Sequence, residues 1–460
     1  MSRLIYTTKP LFIAIFALLL RLLVLLLVWE YPEHCISNDT ESYTSIAHNL
    51  LADHGYSSCL NAPYWPDIRR PPVYPIFLSA IIAIWGQNWI AVAMVQVLLD
   101  VSSCVLICYT VRSLYGSRAG FWAGLCYAAS ISSVVFSLKV LSETLCVFLI
   151  AGSLYYLSNA SVQSRKIKAF RFQKPEGLKL PFDNHWLSGF CWMLAVLCKP
   201  VMIVTAPCYG WWLWKRKRNL RSFVLTISLA MLPIMLWIGR NGWVSGQYTL
   251  TSIAAVNRLQ YDAAGLVAAL EEKSVLQVRD SLSNVAHQKA GVKADACSGN
   301  NSWIPVYQRL GDSIIAERPA YYALLHLRGA LNGLIPAFDV LLEYFGYTIP
   351  GRNTLAILQE KGAIAAIKHY FLGNYWLLWI VVPIAVLWFS FLFATATGLT
   401  KWLFQKEWTA AFFWGGNAFL LLITPGMAAE PRMLLPAMPF LAVCAGYALT
   451  NKSRKPPSIP

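Results

Sequence analysis

Long apolar stretches recur along the chain, separated by shorter polar segments. Several approach the roughly 20 residues that a helix needs to cross the hydrocarbon core of a membrane. The pattern predicts an all-α polytopic membrane protein, a bundle of about 10 transmembrane helices (8–12). Spans are predicted at 11–29, 89–110, 119–136, 142–158, 186–198, 201–214, 222–239, 373–398, 409–424 and 433–450. No small-residue cleavage site follows the first stretch, so it is predicted to be a membrane helix and not a removable signal peptide.

Composition supports a membrane protein. The 460 residues are 57% hydrophobic and only 13% charged, whereas about 25% of residues are charged in typical soluble domains. The aromatic content of 14% suits membrane–water interfaces. A net charge of +16 would otherwise raise the question of a nucleic-acid partner. The low charge density argues against one.

The basic residues predict the orientation. With the N-terminus inside, 20 of 38 basic but only three of 22 acidic residues fall on inside segments, which then carry +17. Because cytoplasmic loops are enriched in Lys and Arg, both termini are predicted to be cytoplasmic. The predicted organisation is an N-terminal membrane module (1–239) with a first outer loop (30–88), an extracytoplasmic segment with interfacial helices (240–372), and C-terminal helices with a basic cytoplasmic tail (373–460).

Tyr321 to Leu342 is apolar enough to mimic a span. A single extra crossing there would move the basic residues after 400 to the outside, so an interfacial helix is predicted instead.

Two charged residues, Arg21 and Asp100, lie well inside predicted spans. Arg21 either reaches toward the headgroups or faces the bundle, whereas Asp100 lies deep enough that it should face the bundle. Three cysteines fall on the predicted outer face, where disulfides form. A Cys35–Cys59 bridge and unpaired thiols, Cys297 included, are equally compatible with the sequence.

The first outer loop begins with an amphipathic segment, Ser37 to Tyr56. Apolar residues recur at helical spacing and predict a helix at the membrane surface: Tyr43, Ile46, Ala47, Leu50 and Leu51. Asp39 lies at its N-terminal tip, where it either caps the helix or takes part in chemistry.

Further along this loop, Arg69 and Arg70 precede Pro71-Pro72 and a second amphipathic stretch. Arginine binds phosphate through paired hydrogen bonds. The alternative is that both arginines are solvated anchors at the interface.

These motifs resemble the GT-C type membrane glycosyltransferases, in the branch of the protein O-mannosyltransferases and lipid A aminoarabinose transferases. The pattern of this family is an acidic residue just after the first span, a Tyr a few positions on, and an Arg-x-Pro-x-Tyr-Pro-like segment. It covers roughly residues 1–260 and 405–450, and its individual motifs are loose, whereas their order is specific. The matching residues are Asn38 to Tyr43, Ala47, Gly55, Arg70 to Pro75, Tyr115-Gly116, Leu141 to Thr144, Leu197 to Pro200, Arg240-Asn241 and Pro431 to Pro436.

The resemblance implies a GT-C-like bundle that takes a sugar from a polyprenyl-phosphate carrier on the outer face. It makes Asp39 the general base and matches Glu143 to a second acidic position. Some relatives have adjacent acidic residues in the first loop, whereas here Thr40 separates Asp39 from Glu41. This departure argues against close kinship with the eukaryotic-type protein mannosyltransferases.

Four basic residues are candidates for binding the donor phosphate: Arg70, Lys199, Arg240 and Arg432. Each of the last three has a structural alternative, since Lys199 and Arg240 could anchor at the headgroups and Arg432 could pair with Glu430. Glu143 could likewise pair with Lys139 one turn earlier. Supporting roles are considered for Glu41, Tyr43 and Tyr74.

No cofactor is required by the sequence. The histidines show no metal-ligand spacing, and a divalent metal ion held by Asp39 and Glu41 is the one cofactor considered. The chain has neither a P-loop nor a GxGxxG motif for a nucleotide.

The sequence therefore predicts a glycosyltransferase of the plasma (inner) membrane. Its expected partners are a polyprenyl-phosphate-linked sugar donor, a glycan, lipid or protein acceptor, and membrane lipids. Direct displacement with Asp39 as base would invert the anomeric centre. A non-enzymatic flippase or carrier of polyprenyl-linked glycans and an O-antigen polymerase or ligase are the alternatives. The sugar and the acceptor cannot be inferred from the sequence.

Overall fold

The computed structural model is helical. It describes residues 2–169, 184–216, 220–292, 297, 299–347, 354–371 and 373–450, and these contain no β-strand. The basic tail and the basic segment 170–183 are both predicted to be cytoplasmic. Neither is among the described residues.

The N-terminal half contains ten α-helices. They are α1 (Ser2–Val28), α2 (Thr40–Leu51), α3 (Val73–Trp85), α4 (Trp89–Tyr115), α5 (Ser117–Ala128), α6 (Ile131–Phe136), α7 (Glu143–Ala169), α8 (Asn184–Cys198), α9 (Ala206–Arg216) and α10 (Leu220–Ser245). Short 3₁₀ turns at Pro32–Cys35 and Pro200–Thr205 connect some of them.

Shorter helices follow. They are α11 (Ile253–Asn257), α12 (Ala264–Leu270), α13 (Val275–Ala290), α14 (Trp303–Glu317), α15 (Pro319–Asn332), α16 (Phe338–Tyr344) and α17 (Thr354–Phe371). The last helices are α18 (Leu378–Phe404), α19 (Trp408–Ala410), α20 (Gly416–Ile423) and α21 (Met438–Ala448). Of the turns in this half, Arg258–Ala263 and Ala411–Gly415 are π-helical, whereas Tyr375–Leu377, Gly426–Ala428 and Pro431–Ala437 are 3₁₀.

Four of the described helices are long and apolar enough to cross a membrane: Lys9–Val28, Trp89–Tyr115, Phe223–Ser245 and Tyr375–Phe404. The other predicted spans coincide with helices that are shorter, broken or less apolar. Tyr321 to Leu342 is divided between α15 and α16, neither of which is long enough to cross. The prediction of an all-α polytopic protein is confirmed, whereas the number of crossings stays a prediction.

The two largest apolar cores among the described residues lie at different places in the fold. The larger joins the long helices of the bundle. Small residues allow close packing there, since a Cβ on Gly398 of α18 would overlap the backbone of Cys444 in α21. The smaller core joins Ile68 of the first outer loop to α11 and α14, with Trp303 and Tyr307 at its centre. The first outer loop therefore contacts both cores.

Arg21 and Asp100 form an ion pair inside the bundle. The Arg21 Nε donates to Asp100 Oδ2 at 2.6 Å, and its Nη1 donates to the carbonyl of Ala128 at 2.9 Å. The hydroxyl of Tyr127 donates to Asp100 Oδ1 at 2.5 Å. Both charged side chains are almost fully buried. Asp100 faces the bundle as predicted, and Arg21 takes the bundle-facing alternative.

The disulfide differs from the bridge that the sequence suggested. Cys59 is bonded to Cys297, whereas Cys35 is a free thiol. Cys35 is fully buried at the end of the first 3₁₀ turn, and burial raises the pKa of its thiol to about 12. The bridge therefore joins the predicted first outer loop to the predicted extracytoplasmic segment (240–372, called the second outer segment below), instead of closing the first loop on itself.

Candidate functional site

Asp39 lies immediately before α2, in a turn with its own anchors. The backbone N–H of Thr40 donates to the Ser37 carbonyl at 3.0 Å, and the Thr40 hydroxyl donates to the Val140 carbonyl at 3.0 Å. The start of α2 is thereby fixed to the linker before α7. Although Asp39 occupies the N-cap position, its side chain makes no capping hydrogen bond. The carboxylate is free to bind elsewhere, and the capping alternative is wrong.

The helix that follows has the predicted amphipathic character. Tyr43, Ile46 and Ala47 are buried, whereas Leu51 at its end is 46% exposed. α3 forms the second predicted stretch, and Tyr74 and Leu78 are buried on it.

Asp67 shapes the turn that presents Arg70. Its Oδ1 accepts hydrogen bonds from the backbone N–H groups of Arg69 and Arg70 at 2.7 and 2.8 Å, which is a turn that Asp commonly forms. Its Oδ2 accepts from the Ser58 hydroxyl at 2.6 Å. The Tyr56 hydroxyl donates to the Arg70 carbonyl at 2.8 Å. Hydrogen bonds to both the N–H and the carbonyl of Arg70 therefore fix its backbone.

The Arg70 guanidinium binds three side chains of the first outer loop. Its Nη2 donates to Asp39 Oδ1 at 2.6 Å, its Nε to Ser42 Oγ at 2.8 Å and its Nη1 to Tyr43 Oη at 3.2 Å. It also lies over the Tyr43 ring, 4.4 Å from the centroid. Arg70 is only 4% exposed. The solvated-anchor alternative is therefore wrong for Arg70.

Arg432 reaches the same carboxylate from the far end of the chain. It lies in the 3₁₀ turn Pro431–Ala437, and its Nη1 donates to Asp39 Oδ2 at 2.7 Å. Its Nε donates to Glu430 at 3.0 Å, so the predicted pair with Glu430 also exists. The remaining terminal nitrogen of Arg432 has no hydrogen-bond partner among the described residues.

The two arginines set the ionisation of Asp39. Burial alone would raise the pKa of this carboxyl group, but the charges of Arg70 and Arg432 and their hydrogen bonds outweigh burial. They hold its pKa well below its usual range. Asp39 is therefore a carboxylate throughout the physiological pH range, and each of its oxygens is bound by a cation.

A second ion pair, between Lys199 and Glu143, lies near Arg432. Lys199 Nζ binds Glu143 Oε1 at 2.6 Å, where Glu143 begins α7 and Lys199 follows α8. Glu143 is 2% exposed and is close enough to Arg432 for electrostatic attraction. The expected partner Lys139 binds Glu343 instead, at 3.1 Å. Lys199 is thus a partner of Glu143 and not a headgroup anchor.

The two tyrosines predicted to support the site have different contacts. The Tyr43 hydroxyl lies 3.4 Å from Ser142 Oγ in addition to its contact with Arg70. Tyr74 is fully buried, and its hydroxyl donates to Gln96 Oε1 at 2.8 Å. Its ring packs edge-on against Tyr43, 4.9 Å between centroids. Tyr74 therefore holds Tyr43 in place.

Two predicted residues lie apart from this cluster. Arg240 Nη1 donates to the Asp67 carbonyl at 2.5 Å, and its guanidinium stacks on Tyr56 and Trp237. It thereby braces the turn that carries Arg70. Glu41 is exposed, and its carboxylate contacts none of the described residues.

The arrangement does not fit a divalent ion at Asp39 and Glu41. Both oxygens of Asp39 are bound by arginine, and the exposed Glu41 carboxylate makes no hydrogen bond or ion pair to a described residue. Among the described residues no group of three or more His, Cys, Asp or Glu side chains is close enough to hold a metal.

Three residues of the site were missed by sequence reasoning. Ser42 and Ser142 extend the hydrogen-bonding around Tyr43 and Arg70, and Asp67 forms the turn. Asp67 had a detectable signal, because Asp two or three residues before a fixed backbone segment often accepts its N–H groups. The two serines lie within motifs that match the family but had no signal of their own.

Comparison with known proteins finds a family match over part of the chain. Residues 69–238 match the family model described as dolichyl-phosphate-mannose-protein mannosyltransferase. No curated protein matches the sequence.

The fold is similar to that of solved membrane proteins. The oligosaccharyltransferase AglB from Archaeoglobus fulgidus, in complex with an inhibitory peptide and a dolichol-phosphate, matches with a TM-score of 0.51 at 13% identity. That match covers 96% of this chain and 50% of AglB, so the chain spans about half the length of that protein. ArnT from Cupriavidus metallidurans bound to undecaprenyl phosphate matches with a TM-score of 0.35 at 12% identity, over 94% of this chain and 77% of ArnT. The family match over residues 69–238 and the fold similarity to AglB bear out the predicted resemblance to the GT-C type glycosyltransferases.

Proposed function

We propose that this protein transfers a monosaccharide from a polyprenyl-phosphate carrier to an acceptor hydroxyl, with inversion at the anomeric carbon. The single observation that carries the proposal is the Asp39 carboxylate, ionised and held between Arg70 and Arg432. The matched family is described by a dolichyl-phosphate-mannose donor, and AglB was solved with a dolichol-phosphate. Both support a lipid-phosphate donor.

The reaction needs one base and one site for developing negative charge. The acceptor oxygen forms a bond to the anomeric carbon as the bond from that carbon to the phosphate oxygen breaks. Asp39 accepts the hydroxyl proton, and the polyprenyl phosphate leaves with the bonding electrons. The donor is a phosphodiester with one negative charge, whereas the product is a monoester with nearly two. The additional charge develops in the transition state, where fixed cations stabilise it most.

Arg432 is the better placed of the two arginines to bind the phosphate. It is more exposed than Arg70, with 19% of its side chain accessible compared with 5%, and one of its terminal nitrogens is free of described partners. A phosphate bound to Arg432 would offset part of the positive charge that now stabilises the Asp39 carboxylate. The proton affinity of Asp39 would then rise when the donor is in place, which favours its action as a base.

Glu143 and Lys199 act on this site through Arg432. Lys199 already binds Glu143, so Glu143 is assigned the role of an electrostatic partner of Arg432 and not that of a second proton acceptor. The donor phosphate is accordingly assigned to Arg432, whereas Arg70 positions Asp39 and Lys199 pairs with Glu143.

The site is proposed to face outward from the plasma (inner) membrane, with both termini in the cytoplasm. The charge asymmetry of the sequence supports this orientation. The Cys59–Cys297 bridge supports it independently, because disulfides persist on the oxidising side of a membrane and this one joins both predicted outer segments. Candidate acceptors are a glycan, a lipid or a protein.

Complementation of a deletion strain tests the proposal. Mass spectrometry of envelope lipids, glycans and proteins should find a sugar-bearing product that disappears on deletion and returns with the wild-type gene. Asp39→Asn should lower its formation about 10²- to 10⁴-fold, because the variant lacks the base. Asp53→Asn is the matched control: it changes an exposed Asp in the same loop, with a backbone φ of 58° that Asn tolerates.

Two outcomes would contradict the proposal. The first is product formation by Asp39→Asn at the wild-type rate and wild-type protein level. The second is movement of lipid-linked sugar across proteoliposomes without modification of any acceptor, which would favour a carrier of polyprenyl-linked glycans.

A further inference from the structure

Helix α15 packs against the stretch of chain that leads to Arg432. This connecting segment (423–430) runs from the last residue of α20 to the 3₁₀ turn that carries Arg432. A Cβ on Gly329 of α15 would lie only 2.7 Å from the carbonyl oxygen of Gly426, closer than nonbonded atoms approach. Glycine at 329 thus allows the helix and the backbone of the connecting segment to lie in direct contact.

His326 adds a polar contact one turn earlier on α15. Its Nε2–H donates to the carbonyl of Ile423 at 3.0 Å, since a carbonyl oxygen can only accept. The imidazole ring lies directly against Gly426, where it occupies the place that a Cβ would take. The ring therefore contacts the start of the connecting segment both through a hydrogen bond and through packing.

The other side of the ring faces the second outer segment. His326 Nδ1 lies 2.9 Å from the Tyr322 hydroxyl and 3.7 Å from Asp262 Oδ1. Asp262 belongs to the π-helical turn of that segment, where Arg258 Nη1 lies 3.6 Å from its Oδ2. His326 thus lies between a charged group of the second outer segment and the backbone of the connecting segment.

The connecting segment ends beside the proposed phosphate ligand. A Cβ on Gly333, just after α15, would lie 3.8 Å from the Glu430 carbonyl oxygen, so α15 follows the segment to its end. The Glu430 carboxylate accepts from Arg432 Nε at 3.0 Å, and its carbonyl accepts from the Met433 N–H at 2.9 Å. On the basis of the proposed function, we propose that His326 is a positioning residue, which fixes the connecting segment against α15 and thereby sets where Arg432 meets the donor phosphate.

The charge of His326 should determine how strongly it acts. The neutral ring keeps its hydrogen bond to the connecting segment, whereas the imidazolium also attracts the Asp262 carboxylate. Asp262 raises the pKa of His326 against the effects of burial and of Arg258. Tyr322 is the other titratable group that faces the ring, because neither α12 nor residues 423–429 contain one. The extra stabilisation is therefore fully present below the ordinary pKa of about 6.5 and is lost as the pH rises through the folded pKa.

Direct lipid binding tests this proposal without relying on transfer. Purified full-length protein would be titrated with undecaprenyl phosphate and, as a phosphate-free control, with undecaprenol, on both sides of pH about 6.5. His326→Ala should weaken binding of the phosphate about two- to tenfold, the effect of losing one hydrogen bond, and should leave undecaprenol binding in place. The ratio of variant to wild-type Kd cancels the titration of the lipid phosphate itself.

The conservative variant His326→Gln separates positioning from misfolding. Its amide can still donate to the Ile423 carbonyl, so it should recover part of the affinity, but it cannot become charged. We therefore expect it to bind undecaprenyl phosphate less tightly than the wild type at the lower pH and about equally at the higher pH. His287→Gln is the matched control, because His287 of α13 also pairs with a tyrosine, Tyr307, at 3.0 Å within the second outer segment. It should bind like the wild type.

A double-mutant cycle tests whether the effect passes through Arg432. In an Arg432→Gln background, His326→Ala should cause little further loss of affinity, since the group that it positions is absent. In the background of Arg309→Gln, a change at an exposed arginine of α14, the full loss should remain.

The proposal is overturned by unchanged binding of undecaprenyl phosphate to His326→Ala, by an equal loss for undecaprenol, by the full loss persisting in Arg432→Gln, or by no binding to the wild-type protein. An affinity ratio of His326→Gln to wild type that does not change with pH would overturn the role of the charge. Absence of sugar transfer with His326-dependent phosphate binding intact would be a result about the proposed reaction, whereas transfer with His326-independent binding would be a result about His326.

Discussion

Two arginines from opposite ends of the chain share one carboxylate. Asp39 and Arg70 are 31 positions apart, whereas Asp39 and Arg432 are 393 apart. Since Arg70 is almost completely buried and uses three of its nitrogens, it fixes the geometry. Arg432 is more accessible and keeps a nitrogen free of described partners. One arginine positions the base, and the other is available for substrate.

The low pKa of Asp39 makes a prediction about pH. Its folded pKa lies below the usual value of about 4. Its ion pairs therefore contribute stability that is fully present above that value and is lost as the pH falls through the folded pKa. Arg432→Gln removes one of the two cations, so the pKa of Asp39 rises. The acidic limb of kcat/KM should move to higher pH, and KM for the donor should rise.

Activity measured against pH checks this prediction, because kcat/KM reports the ionisation of the free enzyme. Arg309→Gln serves as the charge-matched control and should leave the profile in place. An acidic limb at the same pH in Arg432→Gln and wild type would show that Arg432 does not govern the ionisation of Asp39.

At the scale of single residues, the sequence indicated which side chains lie at the candidate site better than it indicated which side chains they contact. Asp39 and Arg70 were found because local patterns mark them: a polar tip on an amphipathic helix, and arginines before Pro-Pro. The contact between Asp39 and Arg432 has no local signal, since it depends on how the last helices return to the first loop. Glu143 was paired with Lys139 by helical spacing, but the chain breaks at Lys199-Pro200 and brings Lys199 to it instead.

Among the elements, α1, α4 and α5 meet at a buried polar cluster. Arg21 of α1 binds Asp100 of α4, and Tyr127 of α5 donates to the same carboxylate. Charged groups in hydrocarbon are costly unless paired. Breaking a buried pair by removing one partner costs about 3–5 kcal/mol, whereas replacing both with apolar residues is often neutral.

We therefore expect Asp100→Asn to lower the stability of the bundle strongly and the double change Arg21→Met with Asp100→Leu to recover much of it. Thermal unfolding of the purified protein in detergent would measure both. Equal unfolding temperatures for Asp100→Asn and the wild type would show that the pair does not stabilise the bundle.

Helices were easier to predict than their interruptions. Apolar periodicity located each long element, because burial in lipid or bundle requires it. The breaks are set by tertiary contacts as well as by local residues. Predicted span 119–136 divides at Ser130, whose hydroxyl caps α6, and span 201–214 begins with a 3₁₀ turn at Pro200. Pro200 marks the interruption in the sequence, whereas serine is too common a residue for Ser130 to mark one.

At the scale of the whole molecule, a disulfide joins the two segments that are predicted to lie outside the membrane. Charge distribution predicted that both lie outside, and the Cys59–Cys297 bridge requires them to meet. The sequence could not select this bridge, because the two cysteines are 238 positions apart and the nearer Cys35 was an equally available partner.

The proposed orientation can be checked with a membrane-impermeant maleimide. In intact cells, Cys297 should be labelled only after reduction of the bridge, since it is then a partly accessible thiol on the outer face. A Gln405→Cys variant, at the end of α18 on the predicted inner face, should be labelled only after permeabilisation. Labelling of Cys297 that requires permeabilisation would reverse the orientation.

The bridge also determines how the protein responds to cleavage of its backbone. The stretch between residues 59 and 297 contains the second half of the first outer loop, helices α3 to α13 and every connection between them. A single protease cut at any of those connections produces two fragments that stay covalently joined. Such a nicked molecule would migrate as one species on a non-reducing gel and as two after reduction, and the sizes of the two would locate each exposed loop.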